Sequence, residues 1–222
     1  MVHSDAQRLR SELCEPLGLS PSEAQIAALL GYLELLERWN ATYNLTAVRD
    51  KPGMWTQHLA DCLAVVMPIS RQLAQGRLLD VGSGGGLPGS VLAILLPALQ
   101  VVCVDAVGKK AAFVRQVAGA LALPNLHSVH GRVEGFSELK FELITSRAFA
   151  SLSDFVRLTR ALLAEQGVWA AMKGKFPADE IAELPSDIEV FHVEQLQVPG
   201  LAAERCLVWM RRAATQTASA PA

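Results

Sequence analysis

The chain has 222 residues, 51% of them hydrophobic against 19% charged, with a formal net charge of −2. That length supports one well-buried α/β domain with a modest appendage, and no apolar run reaches the roughly 20 residues a membrane span needs. The near-neutral balance speaks against a protein living by non-specific phosphate neutralisation, while leaving room for a local basic patch.

Residues Met1 to Arg10 are polar and lack the apolar stretch of a signal peptide. The first 75 residues then carry a helical period. From Ser22 to Trp39, the side chains Ile26, Leu29, Leu30, Leu33, Leu36 and Trp39 fall on one stripe, with Ser20 or Ser22 placed as N-cap. A polar loop is expected over Asn40–Pro52, followed by a helix over Met54–Met67 that Pro68 ends. Strand and helix alternate from Arg77. Strands are expected at Arg77–Val81, Val101–Asp105, Leu126–His130, Phe141–Ser146 and Gly167–Met172, with helices at Pro88–Leu96, Gly108–Ala122 and Leu152–Ala164 between them. A short helix near Ala178–Glu183 precedes two last strands, Ile188–Leu196 and Arg205–Arg211, which a mere loop separates and which should pair antiparallel at one sheet edge. Repeated βα units imply a mostly parallel, Rossmann-like sheet flanked by helices, with ligands beyond the carboxyl ends of its strands. The division is therefore a helical extension (1–75), an α/β domain (76–212) and a disordered tail (213–222) of small and polar residues. Trp169 and Trp209 fall in strands and belong to the core. Cys14, Cys62, Cys103 and Cys206 are far apart, with no zinc spacing, and are read as free thiols of a reducing cytoplasm. No structural metal is expected.

The segment Leu78-Leu79-Asp80-Val81-Gly82-Ser83-Gly84-Gly85-Gly86-Leu87-Pro88-Gly89 is the most informative. A buried strand ends near an acid, a turn stripped to glycine follows, and Pro88 sits near the first position of a helix, where no N–H is needed. Such a turn lets a ligand lie against the backbone. Asp105 ends the next strand, where an acid can take both hydroxyls of a ribose. Together they read as a nucleoside-cofactor site. Gly84-x-Gly86-x-x-Gly89 matches the dinucleotide expression, but in the wrong register: the residue that follows the strand is Gly82, and counting from it the third glycine would fall on Leu87. A carboxylate at Asp80 would also repel a pyrophosphate, whereas it suits the ammonium and sulfonium of S-adenosylmethionine.

Several blocks make the resemblance specific. Asp80 to Gly89 resembles the cofactor loop of the glucose-inhibited division protein B family, the small-subunit rRNA guanine-N7 methyltransferases. So do Trp39-Asn40-x-x-Tyr43-Asn44-Leu45-Thr46, His58-x-x-Asp61, Arg132-Val133-Glu134, Ser146-Arg147-Ala148-Phe149-Ala150 and Met172-Lys173-Gly174. The blocks run in the family's order from about residue 20 to 211. Cys62 stands where most relatives carry Ser or Ala, a packing change. The resemblance implies a class I methyltransferase fold, S-adenosylmethionine as cofactor, and methylation of N7 of the guanine usually numbered 527 in the decoding-region loop of 16S rRNA. The partner would be 16S rRNA or the 30S subunit, in the cytoplasm, and a monomer is the default without a coiled coil. Two other readings stay open: methylation of a small metabolite, and a non-catalytic cofactor-binding module.

Guanine N7 carries a lone pair and no proton, so no general base is required and positioning should dominate. The sequence agrees, with no Ser-His-Asp order, no cysteine beside a base and no hydrolase-spaced carboxylate pair. Ser146-Arg147-Ala148-Phe149 occupies the place where an adenine-N6 enzyme carries its Asn/Asp-Pro-Pro-aromatic loop. On this reading Gly82 and Leu87 line the methionine part of the cofactor with Asp80 and Gly84 behind them. Asp105 clamps the ribose or caps a helix, and Val133 and Glu134 flank the adenine. Arg147 stands where cofactor and substrate meet, or else forms an ion pair with Asp80 or Glu134. Arg49, Lys51, Arg132, Lys173, Lys175 and Arg205 are candidate RNA contacts that could converge at the carboxyl rim of the sheet. Tyr43, Phe149 or Phe176 could stack on an extruded base. His58 and Asp61, one turn apart, tie a helix to a loop rather than take part in catalysis.

Overall fold

The computed structural model describes residues 2–136, 139–147, 149 and 151–213. Residues 2–17 form a run of helical turns, α1, followed by α2 (Glu23–Tyr43), α3 (51–63) and α4 (Val66–Gln72). The α/β part then runs β1 (Gly76–Val81), α5 (Gly89–Leu95), β2 (Leu99–Asp105), α6 (Gly108–Ala120), β3 (Leu126–His130) and β4 (Phe141–Ser146). It continues through α7 (Leu152–Thr159), β5 (Leu163–Lys173), α8 (Ala178–Ala182), β6 (Ile188–Leu196) and β7 (Arg205–Arg212).

The seven strands form one sheet in the order β3-β2-β1-β4-β5-β7-β6. All pairings from β3 to β5 are parallel, and β7 pairs antiparallel with both β5 and β6. The last two strands thus meet antiparallel as expected, but β7 inserts between β5 and β6. Its sequence explains that placement: Cys206 to Met210 are all buried, so the strand needs cover on both faces, whereas β6 is only half-buried and takes the edge. Successive residues of the central strands feed opposite cores. Leu78, Val101, Cys103, Leu143, Val168 and Ala170 face one side, and Leu79, Val104, Ile144, Trp169 and Ala171 the other. Trp209 joins the first core, and both sheet tryptophans are buried.

The first core is continuous with the N-terminal helices, since Leu9, Ile26, Leu29, Leu36 and Leu59 belong to it. Side-chain hydrogen bonds along α2 fix it on the α/β unit, the last from Lys109 Nζ to Tyr43 O. Ser22 and Gln25 close a reciprocal cap at the start of α2, and the Gln25 amide reaches the free carbonyl of Ile94 at the end of α5 (3.0 Å). Two turns on, the fully buried Tyr32 donates its hydroxyl to the carbonyl of Gly85 at 2.7 Å.

Several boundaries differ from the expected ones. The loop expected from Asn40 begins instead at Asn44, whose left-handed φ of 49° ends the helix. Asn40 stays helical because its side chain closes the following loop, bonding Thr46 N and Val48 O. Pro68 does not end a helix: the helix is interrupted by a turn at residues 64–65, and Pro68 lies in the first turn of α4, where its missing N–H has no partner to lose. The helix expected over Leu152–Ala164 stops at Thr159. Its hydroxyl there accepts the Trp169 indole N–H and donates to Phe155 O, and β5 begins at Leu163. Ala213 is held by the carbonyl of Asp187 (2.8 Å), and the expected tail lies, from residue 214 on, outside the described residues. Replacing Tyr32 by Phe removes the α2–Gly85 bond at constant packing. Urea unfolding should report a loss of ~1 kcal/mol, where an unchanged midpoint would show that the bond contributes nothing.

Candidate functional site

The glycine turn is shaped by two carboxylates at the strand tips. Asp80, fully buried, accepts the Gly89 N–H on Oδ2 at 2.8 Å. Asp105, 7% exposed, accepts Gly84 N–H at 2.9 Å on one oxygen and Val107 N–H at 2.8 Å on the other. The glycines fall into two groups. At Gly82 (φ +65°) and Gly84 (φ +59°) a Cβ would meet nothing within 4 Å, so their bare backbone opens onto the cleft. At Gly89 a Cβ would collide with Cys103 and come within 2.9 Å of Asp80 Oδ2, so that glycine serves packing of α5 on the strands. The first pair forms a cradle and the last closes the fold beneath it.

Three cavities adjoin one another around this turn. One, of about 220 Å³, is lined by Gly82, Asp105, Gly131, Arg132, Val133 and Glu134, with Phe149 on its wall. A second, of about 160 Å³, is lined by Leu36, Thr46, Gly82 to Gly85, Leu87, Lys110 and Arg147. A third, of about 390 Å³, is lined by Gln57, His58, Asp61, Arg147, Met172, Lys173 and Arg205. Gly82 is shared by the first two, and His58 and Arg147 by the last two. The result is one trough, from the tips of β2 and β3 to a mouth framed by α3, β5 and β7.

The residues fit an S-adenosyl nucleoside. Asp105 and the Val133–Glu134 turn border the end suited to ribose and adenine, and the open cradle of Gly82 and Gly84 borders the other. Beneath it, burial pushes Asp80 up to about 7, against the pull of Gly89 N–H and Arg147, and its Oδ1 has no partner among the described residues. Asp80 therefore lines none of the three cavities and acts on the site from behind the turn, through Gly89 and as a reserve of negative charge. A group of that kind favours an incoming cation.

At the mouth, the structure pairs Arg147 with Asp61 (3.5 Å), not with Asp80 or Glu134. Its Nη1 also donates to Gln57 O at 3.1 Å. Asp61, 3% exposed, accepts Arg205 Nε at 2.8 Å as well, so one buried carboxylate orients two guanidiniums, one just after β4 and one at the start of β7. His58 bonds Thr46 Oγ1 through Nε2 (2.7 Å) and its own neighbour's carbonyl, Gln57 O, through Nδ1 (3.0 Å). Burial keeps the ring neutral, and Nδ1–H then donates to Gln57 O while Nε2 accepts the Thr46 hydroxyl, with Arg147 Nη1 3.4 Å from Nδ1. The His58–Asp61 pair ties α3 to the 44–50 loop and to the strand ends.

The basic candidates separate. Arg147, Lys173 and Arg205 meet at the mouth, with Lys173 held to Glu180 at 2.7 Å. Lys175 follows in the exposed segment that carries Phe176. Arg132 lies at the β2–β3 end of the trough. Arg49 bonds Asn44 Oδ1 at 3.2 Å and lines none of the three cavities. Lys51 does not join the rim: it pairs with Asp5 at 2.9 Å in a separate cavity of the helical extension. Phe149 lies in the cleft rather than at the mouth, stacked on Phe155 at 5.5 Å. Tyr43 packs on Trp39 at 5.0 Å. Sequence reading missed Tyr32, Thr46, Gln57 and Lys110. The first was hidden in an apolar helix stripe, and Lys110 in an ordinary helix start.

The family model described as rRNA small subunit methyltransferase G matches residues 25–208. The chain belongs to that family. A curated relative named ribosomal RNA small subunit methyltransferase G from Acidovorax sp. (strain JS42) is 58% identical over 205 residues, covering 88% of this chain and 90% of its own. Another of the same name from Leptothrix cholodnii is 58% identical over 199 residues, covering 89% and 91%. Among solved structures, a coclaurine N-methyltransferase bound to N-methylheliamine and SAH superposes with a TM-score of 0.55 at 14% identity. It covers 88% of this chain and 74% of that one. A predicted O-methyltransferase from Agrobacterium tumefaciens gives 0.56 at 20% identity, over 70% and 81%. Those likenesses establish the class I methyltransferase fold. Membership of the family makes the chain an S-adenosylmethionine-dependent rRNA methyltransferase.

Two outcomes follow from this geometry. Gly82→Ala, facing open space but at positive φ, should cost about 1 kcal/mol of stability and abolish cofactor binding in calorimetry. Gly89→Ala should instead destabilise by about 1–3 kcal/mol through overpacking. The reverse ranking in stability would refute the division into cradle and packing glycines. Burial, reinforced by Arg147, lowers His58 to about 4. The unfolded chain, with an imidazole near 6.5, then binds a proton that the fold excludes. Stability should rise by up to about 3 kcal/mol between pH 4 and 6.5. Asp80, raised to about 7, works in the opposite direction, so the His58→Asn variant compared with wild type isolates the histidine contribution. Parallel pH–stability curves for the two proteins would exclude it.

Proposed function

We propose that this enzyme methylates N7 of a guanine in 16S rRNA of the 30S subunit, the decoding-loop guanine that the family resemblance implies, in the cytoplasm. The observation that carries the reading is the mouth itself: three cations, Arg147, Lys173 and Arg205, border a cavity of about 390 Å³ that shares His58 and Arg147 with the cradle. That arrangement suits a flipped purine nucleotide, whose phosphates meet guanidinium and ammonium groups while the base enters the trough.

The bound cofactor supplies an electrophilic methyl group on a sulfonium. Asp105, Val133, Glu134, Gly82, Gly84 and Leu87 are the residues that would hold it. What remains for the chain is alignment. His58, the one imidazole lining the mouth among the described residues, is held by Thr46 and Gln57, and burial that lowers it to about 4 makes it a weak base. Guanine N7 has no proton to give. Arg147, on the border between cradle and mouth, positions the acceptor nucleotide, and Asp61 holds Arg147 and Arg205 in place. Asp61, together with Asp80 in its ionised form, counters the positive charge that passes through the site.

The direct test incubates the purified enzyme with labelled S-adenosylmethionine and 30S subunits from a strain lacking it, then maps the label. One guanine carrying N7 label is expected, and label on another base or atom would end the proposal. Arg147→Ala should reduce turnover by about 100-fold or more with little change in thermal unfolding, because Asp61 keeps Arg205 as its partner. Unchanged turnover in that variant would remove the positioning role.

A further inference from the structure

A cavity of about 630 Å³, larger than any of the three at the cofactor trough, lies between α1, α2 and the start of α3. The activity described above does not use it. Its floor is apolar, formed by Leu30 and Leu33 of α2 with Met54 and Trp55 of α3. Its rim is acidic, with Asp5, Glu34 and Glu37 against a single lysine. Lys51 is tied to Asp5 at 2.9 Å and feels Glu34 and Glu37 more weakly, and those two, exposed and three residues apart on α2, form no ion pair among the described residues. Trp55 is 3% exposed, and its indole N–H is a buried donor with no acceptor among the described residues. Buried indole N–H groups ordinarily find a partner. Arg8 already covers the indole ring, 5.0 Å from its centroid.

These features define an occupant. Three carboxylates against one lysine leave the rim with an excess of negative charge, which disfavours nucleic acid and selects a cation. The apolar floor selects an aliphatic stem or side chain beside that cation. The unpaired indole N–H calls for a carbonyl. A lysine or arginine in an extended segment supplies the head and the stem, an adjacent apolar residue fills the floor, and the main chain supplies the carbonyl. The cavity also has a fixed relation to the site, because α3 carries Met54 and Trp55 in its wall and Gln57, His58 and Asp61 at the acceptor mouth.

We propose that this cavity docks a basic, apolar-flanked protein segment carried by the ribonucleoprotein substrate, so that the enzyme grips protein with α2 and α3 while the mouth takes RNA. The source of the segment rests on the 30S reading above; the docking itself does not.

The test is fluorescence anisotropy of the full-length protein with a labelled, acetylated hexapeptide amide of alternating lysine and leucine. Matched peptides of alternating glutamate and leucine, and of lysine alone, serve as comparisons. The lysine–leucine peptide should bind, the glutamate peptide should not, and hexalysine should bind several-fold more weakly because it leaves the floor unfilled. Glu34→Gln with Glu37→Gln, both exposed positions, should weaken binding about fivefold to tenfold, and Trp55→Phe should weaken it with the ring retained. Equal binding of hexalysine, indifference to the double substitution, or displacement of the peptide by an equal concentration of spermidine would overturn the proposal. The double variant should also methylate 30S subunits with a reduced kcat/KM, and the peptide should inhibit the wild type but not the variant. Peptide binding with unaltered kcat/KM would reject the substrate as the source of the segment. Absence of any methylation of 30S would instead count against the function, since the anisotropy measurement needs no turnover.

Discussion

The site depends on how a turn without side chains is kept in one shape. Glycines alone would leave the 82–89 segment free to wander, and the backbone entropy of such a turn is high. Asp80 and Asp105 remove that freedom from below by accepting the N–H groups of Gly89 and Gly84, and Tyr32 removes it from the side through the Gly85 carbonyl. Hydrogen bonds to carboxylates are the stronger class. Two of the three anchors are charged in their ionised form, so the turn is held by the same groups that set the local field. Shape and electrostatics therefore cannot be altered separately here.

The helical extension is part of that constraint rather than an addition to it. α2 supplies Tyr32 to the turn and Leu36 to the cradle wall, and α3 supplies Gln57, His58 and Asp61 to the mouth. Its hydrophobic residues share a single core with β1, α5 and α6. A class I sheet leaves the carboxyl ends of its strands open. In this enzyme that opening is roofed by the 44–50 loop, which His58 holds through Thr46 and which Asn40 holds through Thr46 and Val48. The trough thus has a floor from the sheet and a roof from the extension, and a substrate must enter between them.

Much of this was legible in the sequence. The strands were readable because parallel strands buried on both faces give unbroken apolar runs, such as Val101–Val104 and Leu143–Ile144, and β3, β4 and β6 have the expected bounds. The glycine turn and the two acids were readable because backbone exposure and strand-tip carboxylates leave local marks. What escaped was set by contacts distant in sequence. Nothing near Arg147 announces that its carboxylate partner is Asp61, 86 residues earlier. Nothing near Lys51 says that it faces Asp5 instead of the rim. Tyr32 reads as core, and it is core; only its hydroxyl, meeting a carbonyl 53 residues away, makes it part of the site. Helix ends were misjudged where side chains overrode local propensity, as Asn40 and Thr159 do.

Asp61 shows why alignment would suffice for the proposed N7 transfer. A carboxylate that is 3% exposed would be costly alone, and removal of a partner from such a pair is more damaging than the pair is stabilising. Here it faces two guanidiniums, one on the segment following β4 and one at the start of β7. Each arginine keeps further donors free for an anion, because a guanidinium carries five N–H groups. The carboxylate thus fixes the directions of two cations without consuming them. Lysines in the same places would be held by a point charge and could swing. A reaction that needs no proton transfer gains most from such fixed donors, since its barrier falls with the precision of approach. The buried ion cluster is best understood as the part that makes the carboxyl rim of the sheet an oriented entrance.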